Sequence, residues 1–262
     1  MNISQVKNVC CVVRGRLYAT LLMACFLSLM LAGSSTAQVG FDTTHWNWTP
    51  KATYHDAVVK IDTGDGSGTG VLVHVYEDRP IGNGFEGLCL TAHHVIGDDV
   101  TEGIKVVYRN GKRAKRCKVV SSNKDSDIAL LKVWVPAGVQ PVAISKQAAV
   151  KGSALEFCGL GGGSELKSLR HFRSESSSPT SMGLIFASVP LLPGDSGGPV
   201  FDKQGNVVGI ISGGWFWFDG GVKNAKGSTV SVTWPARACN LDPISELVQE
   251  ALTDSLRVVA SK

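Results

Sequence analysis

The residues best equipped for chemistry lie in Gly194-Asp195-Ser196-Gly197-Gly198-Pro199. A serine hydroxyl is a poor nucleophile at neutral pH and needs a base to take its proton. It also needs donors aimed at the negative charge that builds on an attacked carbonyl. Glycines on both sides of Ser196 permit a tight bend, in which the amides of Gly194 and Ser196 can point together as an oxyanion hole. Candidate bases sit upstream in Leu90-Thr91-Ala92-His93-His94-Val95-Ile96, where two histidines end an apolar run. Candidate orienting acids sit in between, at Asp125 and Asp127, where Asp125-Ser126-Asp127 opens the hydrophobic run Ile128 to Val133.

The order His, Asp, Ser separates this chain from subtilisin-type and α/β-hydrolase triads, which run in other orders. With these three motifs the chain resembles a trypsin-like (chymotrypsin-fold) serine protease over residues 57–235. Matched to the family's Thr-Ala-X-His and Asp-Ile-Ala-Leu motifs, the base is His94 rather than His93, and the orienting acid is Asp127 rather than Asp125. Gly68-Thr69-Gly70-Val71-Leu72-Val73, His94-Val95-Ile96 and Asn206-Val207-Val208-Gly209-Ile210 resemble the bacterial HtrA-type branch more than digestive trypsins. The sequence has no Ile-Val-Gly-Gly activation site, no cysteine directly after His94, and no room for the PDZ domain that usually follows an HtrA-type protease. In trypsins the acid matching Asp195 pairs with a new N-terminal ammonium. This sequence offers no such terminus, so another cation or several donors must satisfy Asp195 if it is buried.

The resemblance also implies a substrate pocket. The residue six before the nucleophile, at the pocket base, is Pro190, with Leu191 and Leu192 beside it. A cationic substrate side chain facing Pro190 would be unpaired. Ser212, Gly213 and Gly214 form the edge where substrate pairs as an added strand. Ile211 stands where Glu-cleaving relatives carry a histidine. Cleavage after uncharged aliphatic residues is the expectation.

These groups need a frame, and the chain predicts an all-β one. Short apolar runs alternate with turn signals: Ala57–Ile61, Gly70–Tyr76, Leu88–Ala92, Ile104–Tyr108, Lys118–Val120 and Ile128–Val133 in one half. Ala154–Cys158, Leu169–Arg173, Leu184–Val189, Pro199–Phe201, Val207–Ser212 and Ser228–Trp234 follow in the other. Asn110-Gly111 is a hairpin signal. Asp242 and Pro243 suit the N-cap and first position of a helix whose apolar face is Ile244, Leu247, Val248, Ala251 and Leu252. The expected fold is two antiparallel six-stranded β-barrels, residues 57–138 and 139–239, followed by a C-terminal α-helix over 240–262.

Residues 1–37 read as an export signal: Lys7, Arg14 and Arg16 precede the apolar run Leu17–Ala32, and Ser35-Thr36-Ala37 offers small residues for cleavage. The run is 16 residues long, short of the roughly 20 that span a bilayer. No cysteine follows Leu31-Ala32-Gly33, so no lipid anchor and no stable membrane attachment are expected after cleavage. Residues 38–56 form a polar and aromatic lead-in. The whole chain carries 26 basic and 22 acidic residues, net +4, and losing the three signal cations brings it close to neutral. That excludes an argument for a nucleic-acid partner. Cys89, Cys117, Cys158 and Cys239 remain in an exported chain and permit disulfides, Cys89–Cys117 with Cys158–Cys239 for example, or four buried thiols.

Other features stay with simpler readings. His45, His55, His74 and His171 show no metal-ligand spacing, so no metal is assigned. His93 packs or hydrogen-bonds. Gly159-Leu160-Gly161-Gly162-Gly163 lacks the ending of a phosphate loop and reads as a flexible loop beside the oxyanion hole. Asp62 to Gly70 reads as a turn. The basic run Arg109, Lys112, Arg113, Lys115, Arg116 and Lys118 reads as a solvated hairpin. Trp215-Phe216-Trp217-Phe218 cannot all face one core, and substrate lining and core packing both remain open. The sequence therefore predicts an exported (periplasmic or extracellular) serine endopeptidase acting on protein or peptide substrates without a cofactor. The alternative is a catalytically silent protein-binding module on the same fold.

Overall fold

A computed structural model describes residues 53–98, 103–115, 117–175, 183–186, 190–223 and 228–260. The expected signal segment and all but the end of the lead-in lie outside these residues. No helix among the described residues is long and apolar enough to cross a membrane.

The first sheet contains β1 (Val58–Asp62), β2 (Ser67–Ile81), β3 (Gly84–Thr91), β4 (Lys105–Val107), β5 (Arg113–Lys115), β6 (Lys118–Asn123) and β7 (Ile128–Pro136). Its strands pair antiparallel in the order β5-β4-β1-β2-β3-β7-β6. That is seven strands where six were expected. The Asn110-Gly111 turn, closed by Tyr108 N–H to Lys112 O at 2.9 Å, returns the chain as β5, too short to show as an apolar run. The second sheet contains β8 (Ala154–Gly159), β9 (Arg170–Glu175), β10 (Leu184–Phe186), β11 (Pro199–Phe201), β12 (Val207–Lys223) and β13 (Thr229–Ala238). It is six-stranded and antiparallel, ordered β10-β13-β12-β11-β8-β9. The all-β, two-sheet architecture is the one the sequence predicts.

Apolar burial holds the frame together. Leu88, Leu90, Ile128, Leu130 and Leu131 are buried in the first sheet. Its cluster continues through Phe201, Val207 and Ile210 of the second sheet and through Ile244, Leu247 and Val248 of the C-terminal helix. A smaller cluster, with Phe157 edge-on to Phe186, fills the second sheet. A short helical turn, α1 (His93–Ile96), follows β3, and α2 (Leu241–Ala260) ends the chain's described part. The helix begins at Leu241, so Asp242 lies within its first turn instead of capping it. Pro243 still falls where no amide needs an intrahelical partner.

All four cysteines outside the signal segment are buried free thiols, so neither Cys89–Cys117 nor Cys158–Cys239 forms. The first two thiols turn to carbonyls of their own segments: Cys89 Sγ donates to Leu90 O at 3.6 Å and Cys117 Sγ to Ala114 O at 3.8 Å. Burial pushes the Cys117 thiol up to about 11 and the Cys239 thiol up to about 12, keeping both protonated at neutral pH.

Candidate active site

The histidine and aspartate meet where β3 and β7 end side by side. Thr91 pairs with Ala129 across this ladder, which brings α1 against the Asp127 turn. Asp127 has φ 53°, the only non-glycine positive φ among the described residues. Such a conformation is costly for most residues and least so for Asp and Asn. It lets one residue hold both histidines. The carbonyl of Asp127 accepts from His93 N–H at 3.2 Å, and its Oδ1 accepts from His94 N–H at 2.9 Å. Oδ2 lies 2.8 Å from His94 Nδ1. His93 turns its ring to Asp98 instead, with Nε2 3.0 Å from Asp98 Oδ1. The structure thus brings the ring of His94, and not that of His93, to the Asp127 carboxylate.

Ser212 completes the carboxylate's environment. β12 shifts register between Ile211 and Gly213, and the bulge frees Ser212 from the ladder. Its hydroxyl donates to Asp127 Oδ2 at 2.5 Å, while Arg237 donates to Ser212 Oγ at 3.0 Å. Burial alone would raise the Asp127 carboxyl, but the hydrogen bonds from His94, Ser212 and the His94 amide outweigh it and hold the group below its ordinary range.

Ser196 sits on a loop fastened at many points. Thr69, fully buried on β2, donates from Oγ1 to Gly194 O at 2.7 Å and accepts from Leu160 N–H at 3.0 Å. Thr69 N–H also donates to Ser196 O at 2.8 Å. Thr91 Oγ1 bonds Thr69 O at 2.7 Å, directly beside Gly197. Gly197 and Gly198 exchange hydrogen bonds with Ile211 at 2.7 and 2.8 Å. The His94 segment, the Ser196 loop and Ser212 are therefore stitched into one unit. Among the described residues no hydrogen bond joins Ser196 to His94.

The amide donors follow from the same fastening. Pro193 O accepts from Gly162 N–H at 3.0 Å. Because a trans peptide is planar, this turns the Gly194 amide to the opposite side. Gly194 has φ +103°, a conformation suited to glycine. Neither the Gly194 nor the Ser196 amide donates to a protein acceptor among the described residues.

Asp195 points inward, 1% exposed, and its partner is Arg170 on β9, which is fully buried. Arg170 Nη1 donates to Asp195 Oδ2, and Nη2 donates to Pro190 O at 2.7 Å. Gly161 N–H and Leu192 N–H complete the carboxylate at 2.8 and 2.9 Å. The approach is so close that a Cβ on Gly159 or Gly161 would run into the Asp195 carboxylate. Burial pulls the Arg170 guanidinium down to about 9, which still leaves it a cation at neutral pH. The glycine-rich loop lies against the segment that carries Ser196, and where the sequence suggested a flexible loop it is pinned to Asp195 and Pro193.

Pro190 and Leu191 are buried, and Leu191 exchanges backbone hydrogen bonds with Thr233 at 2.9 Å. Gly214 packs against the same Thr233, which places Leu191 and Gly214 against one stretch of β13. Phe216 and Trp217 are 57% and 62% exposed, so core packing does not account for these two. Sequence reasoning missed Thr69, Thr91, Arg170 and the Ser212 bond to Asp127. Only Thr69 and Thr91 carried a signal, as members of the quoted Gly-Thr-Gly and Thr-Ala-His motifs. Metal-ligating side chains converge elsewhere among the described residues, at His55, Glu156 and Cys158.

A family model for a trypsin-like peptidase domain matches residues 68–210, more than half of the chain. The chain belongs to the trypsin-like peptidase family. Over 152 residues this peptidase-family chain is 33% identical to the anti-sigma-I factor RsgI9 of Acetivibrio thermocellus, covering 55% of itself and 21% of that protein. Over 150 residues it is 31% identical to a probable periplasmic serine endoprotease, DegP-like, of Ectopseudomonas mendocina, covering 52% of itself and 30% of that protein. The chain thus spans less than a third of the length of these two relatives. Its fold is similar to that of the HtrA-type protease AlgW solved with a tripeptide, with a TM-score of 0.53 at 18% identity, over 76% of this chain and 61% of that one. It is also similar to an inactive form of Rv3671c from Mycobacterium tuberculosis, with a TM-score of 0.50 at 17% identity, over 83% and 94%.

Proposed function

We propose that this trypsin-like peptidase is an exported serine endopeptidase in which Ser196 attacks the peptide carbonyl. The observation that carries the reading is the His94–Asp127 pair set on the same stitched unit as Ser196. His94 Nε2 takes the Ser196 proton as the hydroxyl attacks. Asp127 holds the proton on Nδ1, fixing the tautomer, and stabilises the imidazolium that forms. The Gly194 and Ser196 amides donate to the oxyanion. Collapse of the tetrahedral intermediate passes the proton from His94 to the leaving amine and leaves an acyl-Ser196 ester. Water, deprotonated by His94, then hydrolyses the ester.

Pro190, Leu191, Ser212, Gly213 and Gly214 line the substrate pocket in this reading, and the exposed Phe216 and Trp217 extend the edge along which a peptide lies. Residues 1–37 are a cleaved signal and 38–56 a lead-in. The match to a periplasmic DegP-like protein supports export. A catalytically silent binding module is the second reading, favoured by one observation, the absence of a Ser196–His94 hydrogen bond. Such bonds often tighten only when substrate is bound. Reaction with a fluorophosphonate probe separates the two. Stoichiometric labelling at Ser196, lost in Ser196→Ala and His94→Ala, is the expected result. A folded parent chain that takes up no label would establish the binding module instead.

A further inference from the structure

A second group of chemically potent side chains lies on β8 and β9, where those strands lead into the Asp195 surroundings. Glu156 and Cys158 are two apart on β8 and so share a face. His171 on β9 pairs directly opposite Cys158. His55 arrives from the turn Thr53–Ala57, about a hundred residues earlier in the chain, with its ring centroid 4.9 Å from that of His171. All four residues are buried. Glu156 Oε1 lies 2.7 Å from His55 Nε2 and 3.1 Å from His171 Nδ1. Ligand atoms of His55, Glu156 and Cys158 all fall within 4.8 Å of one another. Tyr54 donates to Glu156 Oε2 at 2.9 Å, which orients the carboxylate with Oε1 towards the two imidazoles.

We propose that His55, Glu156, Cys158 and His171 bind one zinc ion in a closed, structural site. Two imidazoles, a carboxylate and a thiolate make a four-ligand set of the kind zinc takes tetrahedrally, and the thiolate disfavours magnesium or calcium. A tetrahedron with bonds of about 2.0–2.1 Å has edges of about 3.3 Å. The two nitrogen–oxygen separations need only sub-ångström spreading to match it, and His171, which lies outside the 4.8 Å group of His55, Glu156 and Cys158, must turn its ring inward to close the set. Charge also balances. Zinc displaces the Cys158 proton to solvent and meets neutral imidazoles, so two positive charges face the Glu156 carboxylate and the Cys158 thiolate. A buried site of no net charge avoids the penalty of an uncompensated ion. The Tyr54 hydroxyl then acts as the outer partner that orients the ligating carboxylate.

The site has a structural consequence. Cys158 is followed by Gly159, and His171 is preceded by Arg170, both packed on Asp195. A bound ion pins the Thr53–Ala57 turn to the two strands that support the nucleophile loop from behind. Because every ligand is buried, the ion enters as the chain folds.

Cobalt(II) is the probe. The chain is refolded under reducing conditions with one equivalent of cobalt(II), and its absorption is recorded before and after zinc is added. The expected result is one cobalt per chain, a near-ultraviolet thiolate-to-cobalt charge-transfer band with tetrahedral visible bands, and loss of both on adding zinc. Cys158→Ser, folded by circular dichroism, should lose the charge-transfer band. It should bind cobalt more weakly by more than the roughly 10–100-fold that follows loss of an orienting neighbour. His94→Ala should keep the full spectrum, since the active-site histidine takes no part. A folded parent chain without the band overturns the proposal, and so does a band undiminished in Cys158→Ser. In either case the cluster is a metal-free hydrogen-bonded core.

Discussion

Arg170 and Asp195 form a buried ion pair immediately behind Ser196, with the guanidinium bridging the Asp195 carboxylate and the carbonyl of Pro190. The internal cation from β9 occupies the role that a newly formed N-terminal ammonium plays in trypsins. Asp195 behind the Ser196 loop thus has its counter-ion within the described chain. Arg170→Met leaves a carboxylate buried without its counter-ion, which costs about 3–5 kcal/mol. For a domain of this size that should lower Tm by roughly 6–20 °C, read by thermal unfolding. The same variant should label poorly with fluorophosphonate. A variant that melts with the parent would show that the pair is not needed.

Removing Ser196 or His94 should silence the protein without unfolding it. Ser196→Ala and His94→Ala should each lower kcat on the order of 10⁵–10⁶-fold, because members of such a group act as a unit. Asp127→Asn should cost about 10⁴-fold by stabilising the wrong His94 tautomer. His93→Ala should leave turnover close to the parent's, since its ring faces Asp98. Silencing by His93→Ala with activity kept in His94→Ala would refute the assignment.

The Ser212 hydroxyl donates to Asp127 Oδ2, the same oxygen that faces His94 Nδ1. Hydrogen bonds to charged groups are worth about 1.5–3 kcal/mol, so Ser212→Ala should reduce kcat roughly 10–100-fold. KM should change little, because the hydroxyl orients the carboxylate rather than substrate. Steady-state kinetics on one peptide reads the split. An effect confined to KM would place Ser212 in substrate binding instead.

The Asp127 carboxylate should keep its contacts as the medium turns acid. His94 must be neutral to accept a proton, so protonating it abolishes attack. Asp127 is depressed below the ordinary carboxylate range. Its stabilising contacts are therefore fully present above the unfolded carboxylate's pKa and are lost only as pH falls through the lower folded value. The log of kcat/KM should rise with unit slope on the acid side, with one proton lost, while the fold stays intact across that limb by circular dichroism. A slope of two would mean that a second group must lose a proton before attack.

Cleavage should follow uncharged aliphatic side chains. Pro190 offers no carboxylate, its carbonyl is already taken by Arg170, and Leu191 and Leu192 beside it are buried. A substrate Lys or Arg would meet no counter-charge there. Profiling on a mixed peptide library tests this, and a dominant cut after Lys or Arg would be the contrary result.

The sequence by itself determined the features that are local in the chain. Alternating apolar runs specify strands because side chains alternate across a sheet, and Asn110-Gly111 specifies a hairpin because its turn requires positive φ. The Thr-Ala-His-His, Asp-Ser-Asp and Gly-Asp-Ser-Gly segments were legible for the same reason: each packs its chemistry into a few consecutive residues. Tertiary structure decided what joins them. That Arg170 answers Asp195 depends on β8 and β9 pairing beneath the Ser196 loop, and the two stand 25 positions apart with no motif that joins them. That Ser212 reaches Asp127 depends on a β12 bulge, which no residue type announces. His55 meets Glu156 across 101 residues because the lead-in turn folds over the second sheet, so linear spacing held no trace of the cluster. Contacts between distant segments follow from how sheets pack, and packing is set by the summed burial of many side chains, not by the few that meet.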